Sequence, residues 1–485
     1  MADLDRRSVL RGAAAVAGGA LLGGPFAGFA ARAAFAERDS ASFRQLRPIP
    51  DARDGTVRLW LPEGFEYRSF HDTEFPVVLD DGTNLPGRHD GMAAFAGPNG
   101  NVVLVRNHEI NGPGTPFGDA SKAYDSAARG GTTTIEVTPF GEVISAHTSL
   151  NGTQMNCAGG RMPWGSWITC EETVNGPDVG PDFTGVPNDR LTRRHGFIFE
   201  VPANGESDRQ PITSAGRFAH ESVAYDPAGG MLYLTEDDFG FPSGFYRYRP
   251  PRDPFSAGRL LDGGRLQMLK VRGESNVDLA ASQQLRATYQ VEWVDIEDPA
   301  PTFGGPATTT NDTALTHVAR QGWAQGAAYF SRLEGSVFDT GVVYFCSTQG
   351  GGPAETSIGP IPNGYGNGSG QIWAYHTEAE MLQLLYESPG PDVLDLPDNV
   401  TTSPRGTLVV CEDNVNDNLI RGLTRGGQLF DIALNRLVSR TGAKRFDDEF
   451  AGSTFTPDGH TLFVNIQASA GLTFAIWGPW TTLGV

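Results

Sequence analysis

The sequence predicts an all-β fold, a six-bladed β-propeller, and three observations carry that expectation. A polar residue followed by a β-hairpin recurs six times along the 485 residues. Sixty-two glycines and 33 prolines are spread throughout, which suits many tight turns. One stretch, 377–385, reads as a helix, and no low-complexity linker divides the chain. All-β units run long as single domains, so one domain is expected over residues 37–485.

The first 36 residues read as an address. Asp5-Arg6-Arg7-Ser8-Val9-Leu10 has the twin-arginine form, a weakly apolar run follows from Gly12 to Ala31, and Ala34-Phe35-Ala36 offers a cleavage site before Glu37. A membrane anchor is the alternative, but Gly18-Gly19, Gly23-Gly24-Pro25 and Arg32 make a poor span. The expectation is therefore a Tat leader, the Tat export machinery as a partner, a periplasmic or secreted location and no stable membrane anchor. Tat systems carry folded proteins, and a metal cofactor is a common reason to fold before export.

The hairpins come next. The copies are Asp90-GMAAFAGPNGNVVLVRNHE, Cys157-AGGRMPWGSWITCEE, Glu221-SVAYDPAGGMLYLTEDD, Glu334-GSVFDTGVVYFCSTQ, Asn399-VTTSPRGTLVVCEDN and Glu449-FAGSTFTPDGHTLFVNIQ. Asn-Gly, Gly-Gly, Arg-Gly and Asp-Gly turns lie between β-branched or aromatic runs. Further strands are expected at 131–137, 195–201, 245–248 and 371–375. Hairpins at four-strand spacing suggest blades around a channel. The longest interval, Glu221 to Glu334, holds an insertion over 251–321. A pair of β-sandwiches is the alternative, but it has no need of one polar position in every copy.

That position is chemically biased. Asp90, Cys157, Glu221, Glu334, Asn399 and Glu449 are all oxygen or sulfur donors of the kind metals use. A second set follows at strand ends: Glu109, Glu171, Glu172, Glu236, Asp237, Glu412 and Asp413. If both sets meet at one mouth of the channel, the carboxylates need protons or cations between them. Carboxylate and amide oxygens suit Ca²⁺, whereas a thiolate among them favours a transition metal such as iron. A buried cysteine is also a common apolar filler, and acids at strand ends are commonly solvated. Arg106, Arg217 and Arg332 lie beside the acids. On a strand Arg332 and Glu334 share a face, where the arginine would either hold an oxyanion beside a metal or neutralise its neighbour.

Composition excludes several classes. The chain has a formal net charge of −20, and removing the arginine-rich leader makes it more acidic. Such a field argues against nucleic acid or anionic lipid as a partner. No paired histidines have zinc-protease spacing, no Cys pair suits a zinc ribbon, and no Gly-x-Ser-x-Gly elbow is present. Cys157, Cys170, Cys346 and Cys411 are far apart, and one or two disulfides would suit an oxidising compartment.

These same segments resemble the PhoX alkaline phosphatases. The likeness runs through Arg106-Asn107-His108-Glu109, Asn156-CAGGRMPWGSWITCEE, Gly216-RFAHE, Arg332-Leu333-Glu334-Gly335, Cys411-Glu412-Asp413-Asn414 and Glu449-FAGSTFTPDGHTLFVNIQ. It extends from about Pro62 to Pro479-Trp480. The resemblance implies a six-bladed propeller with Fe³⁺ and Ca²⁺ clustered at one mouth, and a phosphate-ester substrate. Cys157, Glu221 and Glu334 would ligate iron or bridge to calcium. Glu109, Glu171, Glu172, Glu412, Asp413 and Glu449 would be candidates for the calcium shell, and Asn156 and Arg332 would contact the phosphate. The metals would activate a bound water or oxo species as nucleophile. A monomer is expected. Two other readings stay open: a Ca²⁺-dependent lactonase or arylesterase, which has no need of a thiolate such as Cys157, and a non-catalytic calcium-binding propeller.

Overall fold

A computed structural model describes residues 46–485, so the expected leader lies outside the described residues. Each predicted hairpin forms. Its opening strand is, in order, His89–Ala96, Asn156–Met162, His220–Asp226, Leu333–Asp339, Pro397–Thr402 and Glu449–Phe455. The partner strands are Val102–His108, Ser166–Glu171, Met231–Glu236, Val342–Ser347, Leu408–Glu412 and Thr461–Gln467, all antiparallel. Turn chemistry explains the tips. Gly406 (φ 81°) in Pro404-Arg405-Gly406 and Gly459 (φ 72°) in Pro457-Asp458-Gly459 take up left-handed backbone that a side chain would strain.

The six opening strands pack side by side in chain order, and the last packs on the first, so they close a ring. The middle and later parts of these strands line a central cavity of about 640 Å³. The arrangement is propeller-like and all-β. Hydrogen bonding nevertheless groups the strands into five sheets. The insertion is the reason. Its strands Arg265–Val271 and Thr288–Asp295 pair with each other, the first on Phe245–Arg249 and the second on Met381–Glu387. The third and fourth hairpins are thereby joined into one nine-stranded sheet.

The expected further strands are found at Gly130–Val137, Ile198–Pro202, Phe245–Arg249 and Gln371–His376. The helix expected over 377–385 is not. Residues 377–380 form a turn, with Glu380 at φ 46°, and Met381–Glu387 is a strand pairing with Gln371–His376. Met, Leu and Gln favour helix, but burial of Leu382, Leu384 and Leu385 between neighbouring sheets overrides that preference. The α-helices lie within or just beyond the insertion instead: Pro254–Ala257, Asn311–Leu315 and His317–Ala324. The last buries Val318, Ala319 and Trp323 against the third hairpin's core. All four cysteines are buried free thiols, and no disulfide links them.

The chain closes its own ring. Strand Glu66–Phe70, near the start of the described residues, is the outermost partner of Leu472–Trp477 in the last sheet. Tyr67 anchors it, fully buried and edge-on to Phe474. Its hydroxyl accepts from the amides of Arg58 (2.7 Å) and Leu59 (3.2 Å). Tyr67→Phe keeps the ring packing but leaves both amides without that acceptor. The variant should lose about 1–3 kcal/mol, read as a lower midpoint of chemical unfolding.

Candidate metal centre

The centre is built from one repeated irregularity. Near the start of each opening strand the ladder skips two residues, a β-bulge. In the first hairpin His89 faces His108 and Met92 faces Arg106, leaving Asp90 and Gly91 unpaired. The same skip frees Cys157 in the second, Glu221 in the third, Glu334 in the fourth and Asp398 in the fifth. A bulge re-aims the side chain it frees, and here it aims one ligand-type residue from each of five strands into the channel. In the sixth strand the skip falls at Gly452 and Ser453, and Glu449 pairs with Gln467 ahead of it.

These residues converge. One ligand atom each from Cys157, Glu172 and Glu221 lie within 4.8 Å of one another, and so do those of Glu221, Glu334 and Asp398. Glu221 is common to both groups, and all five residues are buried. Burial and the charges of Asp398 and Asp90 push the Glu221 carboxyl far above the usual range. Burial and Asp237 do the same to Glu334, against the pull of Arg332. Asp398 is pushed up to about 7, by burial and then Asp413. Burial, with Glu221 next, raises the Cys157 thiol, which points toward the His220 carbonyl at 3.2 Å.

Arg332 is the guanidinium bonded into this group. Its Nη2 donates to Glu334 (2.6 Å) and to Asp237 (3.0 Å), and Nε to Asp237 (3.3 Å). Burial works against its charge, but the two carboxylates outweigh that and raise its pKa. Nη1 is buried with no hydrogen-bond partner. The guanidinium lies over the Phe239 ring, 5.6 Å from its centroid. Arg332 has left-handed backbone, φ 40°, as do Arg88, Met155 and Leu396 just before the opening strands of their own hairpins. Because Met155 and Leu396 share it, this conformation belongs to the strand entry and not to arginine.

The other predicted residues are placed as follows. Glu109 accepts from Gln467 Nε2 at 2.5 Å and raises the Asp90 carboxyl, after burial, so it borders the group. Asp413 likewise borders it through Asp398. Glu449 is buried at the start of its strand. Glu412 is engaged by Arg421 Nε at 3.0 Å and the amides of Asp395 and Leu419. Glu171 departs most from the expectation. It accepts from His195 Nδ1 (2.6 Å) and from the amides of Gln154, Gly196 and Phe197, which leaves its oxygens saturated. Asn156 departs as well. Its amide is fully buried, accepting from Thr153 Oγ1 (2.6 Å) of the preceding sheet and donating to Thr169 Oγ1 (2.9 Å) of its own hairpin, so both ends of the amide are engaged. Glu236 takes the Gly244 amide and the Tyr246 hydroxyl, both at 2.8 Å.

Asp398 is the residue sequence reasoning missed. The repeat pattern puts the fifth copy on Asn399, one residue late. Asn399 instead donates to the Asp398 carboxylate (2.7 Å) and accepts from the Gly452 amide (2.6 Å). The signal was present: Leu396-Pro397-Asp398 matches Arg332-Leu333-Glu334 in spacing.

With the geometry in place, the comparisons are informative. A family model described as alkaline phosphatase PhoX matches residues 44–144 and 141–470. The chain belongs to the PhoX alkaline phosphatase family. As a PhoX phosphatase it is a hydrolase of phosphate esters, from a metal-dependent family. Among solved structures it is similar to Pseudomonas fluorescens PhoX in complex with vanadate, a transition state analogue. Identity there is 17%, the TM-score is 0.62, and the match covers 90% of this chain and 98% of that one. That likeness shows the fold. Virginiamycin B lyase from Staphylococcus aureus (12% identity, 85% of this chain and 99% of that one, TM-score 0.37) also aligns. So does XC5397 from Xanthomonas campestris, a gluconolactonase (10%, 89% and 99%, 0.35). At that similarity neither bears on this PhoX chain. No curated protein matches its sequence.

The donor set fits metal ions. Four carboxyls and a thiol are held in one buried space whose bonded guanidinium already serves Asp237 and Glu334. Such a group is stable only when protonated or when cations are bound.

Behind it, His195 joins Glu171 to Asp125, with Nε2 3.3 Å from Asp125. Burial disfavours the imidazolium, but Glu171 and Asp125 outweigh it and raise His195 from 6.5 to about 9. The folded state therefore binds this proton more tightly than the unfolded chain. Its stabilisation is full below about pH 6.5 and is lost as pH rises through about 9. Thermal melts across that window should show wild type losing more stability than His195→Gln.

Proposed function

We propose that this chain is an exported phosphatase that hydrolyses phosphate monoesters at the mouth of a six-bladed propeller. Six hairpins closing one ring support six blades, with the five sheets explained by the bridging insertion. The twin-arginine leader supports export through the Tat pathway to the periplasm or beyond.

One observation carries the reading: Arg332 Nη1 is buried without a partner, on the guanidinium whose Nη2 holds Glu334 of the second metal-suited group. A buried guanidinium fork with a free donor, next to cations, is what binds and orients a phosphoryl oxygen. Phe239 and Asp237 fix the plane of that fork, so little freedom is lost when the ester binds. The oxygen-rich group of Glu221, Glu334 and Asp398 would hold Ca²⁺. Cys157, with Glu221 and Glu172, would hold Fe³⁺, because a thiolate among carboxylates suits a transition metal. When bound, those ions would supply Lewis acidity toward the phosphoryl oxygens and lower the pKa of water. Arg332 would then stabilise the charge that grows on the phosphoryl group. Cys157 in the site disfavours a lactonase, which would need oxygen ligands alone.

The direct test is hydrolysis of p-nitrophenyl phosphate by exported, purified protein, with Ca²⁺ and after chelation. Turnover should require Ca²⁺, and Arg332→Ala should lower kcat/KM by about 10²–10³-fold. Arg332→Lys should recover only part of that loss, because an ammonium cannot present the fork. No turnover in protein that retains its metals would move the activity to another ester. Iron quantification separates the thiols. Cys157→Ser should lose iron while Cys170→Ser keeps it, and equal iron in the two would remove Cys157 from the site.

A further inference from the structure

The bulge that frees each ligand-type side chain also takes its backbone out of the ladder, and a buried carbonyl needs a donor. The residues opposite the bulges of the first five hairpins are Asn107, Cys170, Thr235, Cys346 and Cys411. Each faces forward, toward the bulge of the next hairpin in the ring. Asn107 Nδ2 donates to the carbonyls of Cys157 (2.7 Å) and Ala158 (2.8 Å). Its Oδ1 accepts from Trp167 Nε1 (2.9 Å), which fixes the amide's orientation. Thr235 Oγ1 donates to the Glu334 carbonyl (2.7 Å). In the sixth hairpin Asn465, beside the bulge, donates to the Asp90 carbonyl (2.5 Å) and accepts from Thr473 Oγ1, itself bonded to the buried Arg106. Three of the four cysteines occupy the same position elsewhere in the ring, Cys170 beside Glu221 and Cys346 beside Asp398.

We propose that Asn107, Thr235 and Asn465 are positioning residues for the metal centre. Each grips, from one hairpin back, the carbonyl of Cys157, Glu334 or Asp90, and so sets the direction in which that side chain enters the channel. The inference rests on the metal-dependent reading above. It explains why polar residues recur at a buried position where the cysteines show that a small, weakly polar side chain also packs. Removing the donor leaves a buried carbonyl unsatisfied, and rotation of that peptide relieves it by turning the ligand away. All three act through the residues they hold.

The test uses full-length exported protein carrying Asn107→Ala, Thr235→Val or Thr235→Ser. One measurement needs no metal: after chelation, the rate at which iodoacetamide alkylates each cysteine, resolved by peptide mass spectrometry. Asn107→Ala should accelerate alkylation of Cys157 and leave Cys346 and Cys411 at the wild-type rate, and Thr235→Val should leave Cys157 unchanged. The second is Ca²⁺ affinity by competition with a fluorescent chelator. Asn107→Ala and Thr235→Val should weaken it about 10–100-fold, with Thr235→Ser close to wild type. Unchanged Ca²⁺ affinity with unchanged Cys157 alkylation would overturn the proposal. Equal acceleration of all four cysteines would also overturn it, as general loosening. If wild type itself binds no Ca²⁺, the metal-dependent reading fails, and the alkylation pattern still decides whether Asn107 holds Cys157.

Discussion

The structure depends on a two-residue gap in a β-ladder, repeated at the start of five of the six opening strands and shifted to mid-strand in the sixth. An unbroken strand alternates its side chains between two faces and would send Cys157, Glu221 and Glu334 into the packing between neighbouring sheets. The bulge breaks the alternation at one position and turns that residue into the channel. Because five strands do this at the same height, the ring collects Asp90, Cys157, Glu221, Glu334 and Asp398 into one small buried volume. The hairpins, the closing strand Glu66–Phe70 and the bridging insertion hold that ring at fixed radius.

Concentrating acids in this way works against folding. Each carboxyl loses its water and faces others, which raises Glu221 and Glu334 far above the ordinary range. Arg332 offsets part of the repulsion, but it is committed to Asp237 and Glu334 through Nε and Nη2. Its free Nη1 is what remains for an anion. Cations bound among the carboxylates would resolve both problems at once, relieving the repulsion and making an acidic protein attractive to a phosphate ester.

Much of this was legible in the sequence. The hairpins could be read from turn residues between apolar runs, and the polar residue opening each copy pointed to the channel. Asp398 was missed because Asn399 also suits a metal and the register of a bulge leaves no mark in composition. Glu171 and Glu172 could not be told apart by spacing. Adjacent strand-end residues point to opposite sides, and only the fold shows Glu171 turned to His195 and Glu172 turned to Cys157. Asn156 adjoins Cys157 in sequence, yet its amide is held by Thr153 and Thr169. The strand at Met381–Glu387 carries helix-favouring residues, and its pairing with Gln371–His376 and the insertion strand Thr288–Asp295 is tertiary and leaves no local signal. The three buried cysteines opposite the bulges carried no local signal, since their meaning lies in the neighbouring hairpin.

The most direct measurement is anomalous diffraction at the iron edge from crystals of the exported protein. The account predicts a peak within bonding distance of Cys157 Sγ and a carboxylate oxygen of Glu221, with Arg332 Nη1 facing the space beside it. Iron located elsewhere, or none beside Cys157 in crystals whose protein contains iron, would contradict it.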